Sequence, residues 1–312
     1  MKKTILILTL LCAATITQAQ VGIGTTSPAA SAQLDVTSTT KGLLPPRMTS
    51  TQRDAIASPV AGLMIWCTET LELQVYNGTR WINSTGSGPS CILLGSDIDG
   101  EATGDRSGYS VSLSSDGSIV AIGAYYNDGS GSNAGQVRVY ENISGTWTQV
   151  GSDIDGEAAS DVSGGSVSLS SDGSIVAIGA ESNDGNGSSA GHVRIYKNIS
   201  STWTQVGSDI DGEAGSDISG GSVSLSSDGS IVAIGARGND GNGSSAGHVR
   251  VYKNISSTWT QVGSDIDGEA AGDGSGGSVS LSSDGSVVAI GALWNDGTAS
   301  DAGHVRVYEN VS

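Results

Sequence analysis

Beyond residue 95, short apolar runs alternate with turns rich in glycine, serine and aspartate. Residues 166–170 carry apolar side chains at every second position, and residues 175–180 form a continuous apolar run. The first pattern is typical of a strand with one buried face, and the second of a strand covered on both faces. Residues 192–196 and 202–206 have the composition of two further strands, so the segment is predicted to hold four strands and no helix.

This strand pattern occurs in four tandem copies. The sequence Gly-Ser-Asp-Ile-Asp-Gly-Glu-Ala begins at residues 95, 151, 207 and 263, which gives a period of 56 residues. A single sheet cannot bury both of its own faces, so neighbouring repeats must cover them. Tandem four-stranded units of this size predict an all-β fold, namely a β-propeller with four blades. The predicted blades are residues 95–150, 151–206, 207–262 and 263–312.

The last repeat ends before its fourth strand. Residues 91–94 stand just before the first repeat, in register with the strand that the last repeat lacks. We expect this N-terminal strand to complete the last blade and close a four-bladed ring, which would leave no exposed edge between repeats. The alternative is an open array, because the sequence stops at Ser312 where a next strand is expected.

The N-terminus has the features of a secretory signal peptide. Lys2 and Lys3 precede an apolar stretch over residues 5–16, and a small-x-small cleavage site ends at Ala19. We therefore predict a signal peptide over residues 1–19, a β-rich module over residues 20–90, and the propeller over residues 91–312. Export would place Cys67 and Cys91 in an oxidising compartment, where we expect one disulfide; two independent thiols are the alternative.

Charge is distributed very unevenly along the chain. The net charge is −18; residues 1–94 carry 4 acidic and 6 basic residues, so residues 95–312 carry 28 acidic and 8 basic ones. A strongly acidic surface repels phosphate backbones and anionic lipids. Nucleic acid is thus excluded as a partner. No segment after the N-terminus is apolar enough to span a membrane.

Acidic residues recur at fixed positions near the start of each repeat. Counted from the aspartate after Gly-Ser, they stand at positions 1, 3, 5 and 9. Hard cations such as Ca²⁺ take several oxygen ligands, and alternate carboxylates in a glycine-containing loop can converge on one ion. We predict one Ca²⁺ site per repeat, with solvated acidic turns as the alternative. The candidate ligands are Asp97, Asp99, Glu101, Asp105, Asp153, Asp155, Glu157, Asp161, Asp209, Asp211, Glu213, Asp217, Asp265, Asp267, Glu269 and Asp273.

The near-identical copies diverge most clearly directly after the Ile-Gly-Ala motif. The first copy has Tyr125 and Tyr126 there and the fourth has Leu293 and Trp294, whereas the second and third carry polar or small residues. If the ring is closed, the first and fourth repeats are neighbours and these four side chains form one ligand-binding patch. Drift at unconstrained loop positions is the alternative.

The N-terminal module resembles a leader module of exported proteins from one Gram-negative phylum, and also segments of phage tail-fibre-like proteins. The resemblance covers about sixty residues and rests on the five stretches 21–28, 34–36, 42–48, 52–56 and 76–81. It implies a protein that is secreted or displayed on the surface of a Gram-negative bacterium. In fibre-like relatives such modules trimerise, which implies a homo-oligomer formed through residues 20–90.

The repeats resemble the FG-GAP family, the β-propeller repeats of integrin α-subunits and many bacterial surface proteins. In the second copy, residues 164–167 match the FG position and residues 178–180 the GAP position. The chain departs from the family in having no Phe, no Pro after Gly-Ala, and only a short Ser-Ser-Asp-Gly turn where a calcium loop is usual. The resemblance implies adhesion or ligand binding.

Together these observations predict an exported β-propeller module that binds an extracellular protein or glycan and is not an enzyme. No histidine has a unique aspartate and nucleophile beside it in the sequence, so no catalytic triad is predicted. A structural fibre or stalk component that oligomerises through its N-terminal module is the alternative.

Overall fold

The computed structural model describes residues 20–83 and 93–309. The signal peptide predicted at residues 1–19 lies outside these ranges. Cys91 also lies outside them, so the disulfide predicted between Cys67 and Cys91 stays a prediction. The chain divides into two compact units, with the boundary between Ile92 and Leu93.

The N-terminal unit contains a parallel pair, β1 with β2, and a four-stranded sheet in the order β3-β4-β5-β6. Its short helix begins at a capping box, in which the Thr49 hydroxyl accepts from the Gln52 amide and the Gln52 side chain accepts from the Thr49 amide. Ile65 and Cys67 are buried in the sheet. The elements are β1 (Val21–Ile23), β2 (Leu34–Val36), β3 (Arg47–Met48), α1 (Ser50–Asp54), β4 (Met64–Cys67), β5 (Glu72–Tyr76) and β6 (Trp81–Asn83).

The second unit consists of the four repeats, and each forms one antiparallel sheet with neighbouring strands joined in chain order. The strands of the first two repeats are β7 (Ser110–Leu113), β8 (Ile119–Ala124), β9 (Gln136–Ile143), β10 (Thr146–Gln149), β11 (Ile154–Asp155), β12 (Ser166–Leu169), β13 (Ile175–Ala180), β14 (His192–Ile199) and β15 (Thr202–Gln205). Those of the last two are β16 (Ile210–Asp211), β17 (Ser219–Leu225), β18 (Ile231–Ala236), β19 (His248–Ile255), β20 (Thr258–Gln261), β21 (Ile266–Asp267), β22 (Ser275–Leu281), β23 (Val287–Ala292) and β24 (His304–Glu309).

Local chemistry explains the hairpin between the first two strands of each repeat. In the first repeat, Asp116 Oδ1 accepts hydrogen bonds from the Ser118 amide at 2.9 Å and from the Ser114 hydroxyl at 2.7 Å. Gly117 supplies the left-handed conformation, with φ of 72°. The same aspartate-centred turn occurs in all four repeats.

A short strand that the sequence analysis did not predict joins neighbouring repeats. β11 begins the second repeat but pairs with β9 of the first, and β16 and β21 pair in the same way with β14 and β19. The second, third and fourth repeats therefore each contribute their first strand to the sheet of the repeat before them. These crossing strands link the sheets through backbone hydrogen bonds.

Apolar side chains fill the space between neighbouring sheets. Between the second and third repeats, Val193 and Ile195 pack with Val232 and Ile234, and all four are almost fully buried. The residues that face the next repeat and those that face the previous one alternate along each strand, as the pleat requires. The continuous apolar run of the second strand thus reflects a sheet covered on both faces, as predicted.

The stack of repeats is open at its two ends. Val111 and Leu113 of the first repeat are 64% and 60% exposed, and Val305 and Val307 of the fourth are 68% and 66% exposed. The equivalents in the interior repeats are buried or half-buried by a neighbouring sheet. The first and fourth repeats therefore do not pack on each other, and the predicted closure of the ring is wrong.

Leu94, the last residue of the segment predicted to close the ring, lies against the first repeat instead. The Leu94 carbonyl accepts from the indole of Trp147 at 2.7 Å. The Val150 carbonyl has the same relation to Trp203, at 2.8 Å, so Leu94 occupies the place of a preceding repeat. The observed fold is an all-β, propeller-like stack of four blades, which confirms the predicted fold class.

Candidate functional site

The variable loops of all four repeats lie along one edge of the stack. In the first repeat the Tyr126 amide donates to the Asp105 carbonyl, which joins the loop after β8 to the loop before β7. Equivalent bonds join Ser182 to Asp161, Gly238 to Asp217 and Trp294 to Asp273. We call this row of paired loops the loop edge. Its backbone is the same in every repeat, so the repeats differ there mainly in side chains.

The first repeat carries an aromatic cluster on the loop edge, formed by Arg106, Tyr109, Tyr125 and Tyr126. The Tyr109 and Tyr125 rings are 4.1 Å apart between centroids, as are the Tyr125 and Tyr126 rings. Arg106 donates to the Tyr125 hydroxyl at 2.6 Å, and its guanidinium carbon lies 4.7 Å from the centre of the Tyr126 ring. Tyr109 is 62% exposed. The cluster is thus a preordered aromatic surface with one positive charge.

The other repeats carry different chemistry at the same positions. Glu181 and Arg237 form an ion pair of 2.9 Å across the junction between the second and third repeats, so each neutralises the other. Leu293 and Trp294 of the fourth repeat are both exposed.

Because the ring is open, Leu293 and Trp294 do not lie beside Tyr125 and Tyr126. The prediction of one patch from all four residues depended on ring closure and is corrected here. Tyr109 was not among the predicted ligand-binding residues. A signal for it was present, since the other three repeats have glycine at its position.

The carboxylates at position 9 of each acidic loop are buried within the protein. Asp217 Oδ2 accepts from the amides of Glu213 and Ala214, each at 3.0 Å, and from Asn239 Nδ2 at 3.2 Å. Hydrogen bonds of the same kind hold Asp105, Asp161 and Asp273. Burial by itself would raise the pKa of Asp273, but the bonds from Asn295 and two backbone amides lower it. In every repeat, the carboxylate at position 9 thus connects the start of the repeat to the loop edge through hydrogen bonds.

The remaining acidic positions point to different places. The aspartates at position 3 lie on the crossing strands or at their equivalent in the first repeat, where their carbonyls accept from an arginine; they are Asp99, Asp155, Asp211 and Asp267. Glu157 at position 5 faces Asp209 at position 1 of the next repeat. The four carboxylates of one loop therefore do not surround one point, and the predicted single-loop arrangement of Ca²⁺ ligands differs from the structure.

Two of the three histidines lie between such carboxylates. His192 Nδ1 is 3.9 Å from both Glu157 Oε2 and Asp209 Oδ2. His248 Nδ1 is 3.8 Å from Glu213 Oε2 and 4.0 Å from Asp265 Oδ2. Burial lowers the pKa of both imidazoles, which favours their neutral form. The sequence analysis did not find these groups, because their members come from two repeats.

The repeated tryptophans serve mainly in packing. The Trp203 and Trp259 indoles donate to the carbonyls of Val150 and Val206, and both rings pack against the core between repeats.

Within the described ranges, no helix has the length and hydropathy that crossing a bilayer requires.

The hairpin aspartates make stability depend on acid. Hydrogen bonds, from the Ser118 amide first, lower the pKa of Asp116 from 3.8 to about 2, and bonds led by the Ser282 hydroxyl do the same for Asp284. A depressed folded-state pKa adds stability above the unfolded value, and this is lost as pH falls from about 4 to about 2. We expect the double variant Asp116→Asn with Asp284→Asn to have a lower melting temperature than the wild type at neutral pH. This difference in melting temperature should become smaller as the pH falls to about 2. A difference that stays constant in a pH series of thermal melts would contradict the prediction.

Comparison with known proteins identifies two regions of the chain. A family model described as a phage tail like trimerisation region matches residues 22–100, and the FG-GAP repeat model matches residues 97–140. The second match covers most of the first repeat. No curated protein sequence matches the chain.

Similarity to solved structures is low. A protein of Bacteroides uniformis described as a 6-phosphogluconolactonase has a TM-score of 0.41 at 12% identity, over 76% of this chain and 60% of that one. Hydrazine synthase of Kuenenia stuttgartiensis has a TM-score of 0.39 at 15% identity, over 64% and 57%. The chain spans about three fifths of the length of these two proteins, and neither likeness bears on its function. The family matches show that this protein carries a phage tail-like trimerisation region followed by FG-GAP repeat sequence.

Proposed function

We propose that this protein is an exported, non-enzymatic adhesion module that binds an extracellular protein or glycan through the aromatic cluster of its first repeat. The observation that carries the proposal is the stacked set of Arg106, Tyr109, Tyr125 and Tyr126 on the loop edge. Export and display at the cell surface of a Gram-negative bacterium are part of the proposal. N-terminal sequencing of protein recovered from the culture medium or cell surface tests export, with Gln20 as the expected first residue.

The chemistry of the cluster supports binding. Tyrosine and arginine are enriched at the centres of protein interfaces, where a few such anchors carry most of the binding energy. Tyrosine rings also offer flat apolar faces with hydroxyls at their edge, which suits both protein and sugar surfaces. Their mutual contacts and the Arg106 bond hold the rings in place before binding, so little rotamer entropy is lost.

The second repeat provides the sequence for the test. Arg106→Val, Tyr109→Gly, Tyr125→Glu and Tyr126→Ser together convert the cluster to the residues that the second repeat carries on the same backbone. We expect this variant to fold with wild-type stability, because the scaffold already accepts those residues, and to lose binding by at least about tenfold. The measurement is binding of the full mature chain to glycan and matrix-protein arrays.

A matched control is available at the other end of the stack. Leu293→Arg with Trp294→Gly introduces the residues of the third repeat and should leave binding unchanged. Loss of binding in this control alone would indicate that the binding site lies on the fourth repeat. Unchanged binding in both variants would contradict a site on the loop edge.

A second candidate function, a structural fibre or stalk component, is favoured by the trimerisation region over residues 22–100. We expect the mature chain to be a homotrimer, because three copies of that region would associate. Size-exclusion chromatography with light scattering measures this, and a monomer at micromolar concentration would contradict it. The two functions are compatible, since a trimer would present three loop edges and gain avidity on a repetitive surface.

A further inference from the structure

The two groups of histidine and carboxylates between repeats have the geometry of a metal centre. His192 opens β14, where it pairs with Asp211 of β16, so the start of the third repeat lies beside it. Asp209 comes two residues earlier in that repeat, and Glu157 follows β11 at the start of the second repeat. The ligand atoms of His192, Glu157 and Asp209 all lie within 4.8 Å of one another.

The imidazole is buried and takes part in no hydrogen bond within the described ranges. His192 is 1% exposed, and its Nε2 is buried without a hydrogen-bond partner. Its Nδ1 faces the two carboxylates at 3.9 Å, which is too long for a hydrogen bond. A buried imidazole nitrogen thus faces two anionic oxygens, and none of these three atoms is hydrogen-bonded to another, an arrangement that suits a bound cation.

In each carboxylate, one oxygen contacts a neighbouring side chain and the other faces the imidazole. Glu157 Oε1 lies 3.4 Å from Arg194 Nη1, while Oε2 faces the imidazole. Asp209 Oδ1 accepts from Gln205 Nε2 at 2.6 Å, while Oδ2 faces the imidazole. Outer partners that orient ligands in this way are a regular feature of protein metal sites.

The distances suit a small transition-metal ion. Zn–N and Zn–O bonds of about 2.0–2.2 Å place neighbouring ligand atoms of a tetrahedral site about 3.4 Å apart. The two distances of 3.9 Å from Nδ1 to the carboxylate oxygens would have to shorten by roughly half an ångström, and Glu157 and Asp209 are 45% and 30% exposed, so their side chains have room to move. One imidazole and two carboxylates leave a fourth position for water, and an imidazole ligand favours zinc over calcium.

The same group is repeated once and is absent at a third junction of the described stack. His248, Glu213 and Asp265 repeat the arrangement between the third and fourth repeats. Between the first and second repeats, Gln136 replaces the histidine and donates to Glu101 Oε2 at 2.8 Å. The amide thus satisfies the glutamate without an ion, which provides an internal comparison.

We propose that His192 with Glu157 and Asp209, and His248 with Glu213 and Asp265, each bind one Zn²⁺ ion that ties two neighbouring repeats together. The proposal does not depend on the proposed function. Because each site draws ligands from two repeats, zinc binds the folded stack and stabilises it.

The experiment counts zinc on the full mature chain. The protein is stripped with a chelator, dialysed against Zn²⁺ in the presence of excess Ca²⁺ and salt to saturate the acidic surface, and analysed by mass spectrometry of the metal. We expect two zinc ions per chain, one in His192→Gln or His248→Gln, and none in the double variant. The melting temperature should rise with Zn²⁺ in the wild type and not in the double variant.

Glutamine is the matched replacement, because Gln136 occupies the equivalent buried position in the first repeat. His304→Gln is the control, since His304 has only Glu269 facing it within the described residues, and it should retain two zinc ions. If the double histidine variant does not fold, Glu157→Gln with Glu213→Gln gives the same readout. No zinc retained by the wild type, or an equal count in variants and wild type, would overturn the proposal.

Discussion

Gly179→Ala is expected to lower the free energy of unfolding of the repeat stack by about 3 kcal/mol or more. A Cβ at Gly179 would overlap the carbonyl oxygen of Gly220 in the next repeat and the Ser166 hydroxyl. Backbone cannot move aside as a side chain can, so the junction between the second and third repeats has to open. Urea denaturation followed by circular dichroism measures the loss, and we expect a melting temperature lower by roughly 6–12 °C.

The matched control is Gly291→Ala in the last repeat. Gly291 has the same place in its strand, and its added Cβ would meet the equivalent serine, Ser278, but no carbonyl of a following repeat. The serine can rotate, so we expect a change within about 1 kcal/mol. Equal losses in the two variants would show that the serine contact, and not the approach of two backbones, sets the cost.

Asp217→Ala should destabilise the third repeat by about 2–4 kcal/mol, because it leaves two backbone amides and Asn239 Nδ2 without their acceptor in a buried place. The control is Asp211→Ala, which removes an exposed carboxylate of the same loop and should cost no more than about 0.5 kcal/mol.

Both aspartates were predicted Ca²⁺ ligands, so the pair also tests that role. We expect Ca²⁺ at matched ionic strength to leave the melting temperatures of the wild type and of both variants unchanged, because the hydrogen bonds of Asp217 are all supplied by the protein. A Ca²⁺-specific rise in the wild type that both variants lose would restore the single-loop site.

The candidate sites were predictable to different degrees. Tyr125 and Tyr126 stood out when the copies were compared, because a uniform scaffold makes local divergence visible. The buried role of Asp217 was not predictable, since its partner Asn239 lies on another loop. The histidine groups were missed because Glu157, His192 and Asp209 are far apart in sequence.

The sequence by itself determined the period, the longer strands of each repeat and the all-β class. These depend on local patterns, namely period-two alternation, continuous apolar runs and Asp-Gly turns, which act within a few residues. Only the tertiary structure decided that the first and fourth repeats are not neighbours, so that Val111 and Val305 stay exposed at the two ends of the stack. It also decided which carboxylates lie beside a histidine. Those outcomes depend on how the sheets pack and on the crossing strands that pair one repeat with the next, and near-identical repeats carry no sequence difference that would reveal them.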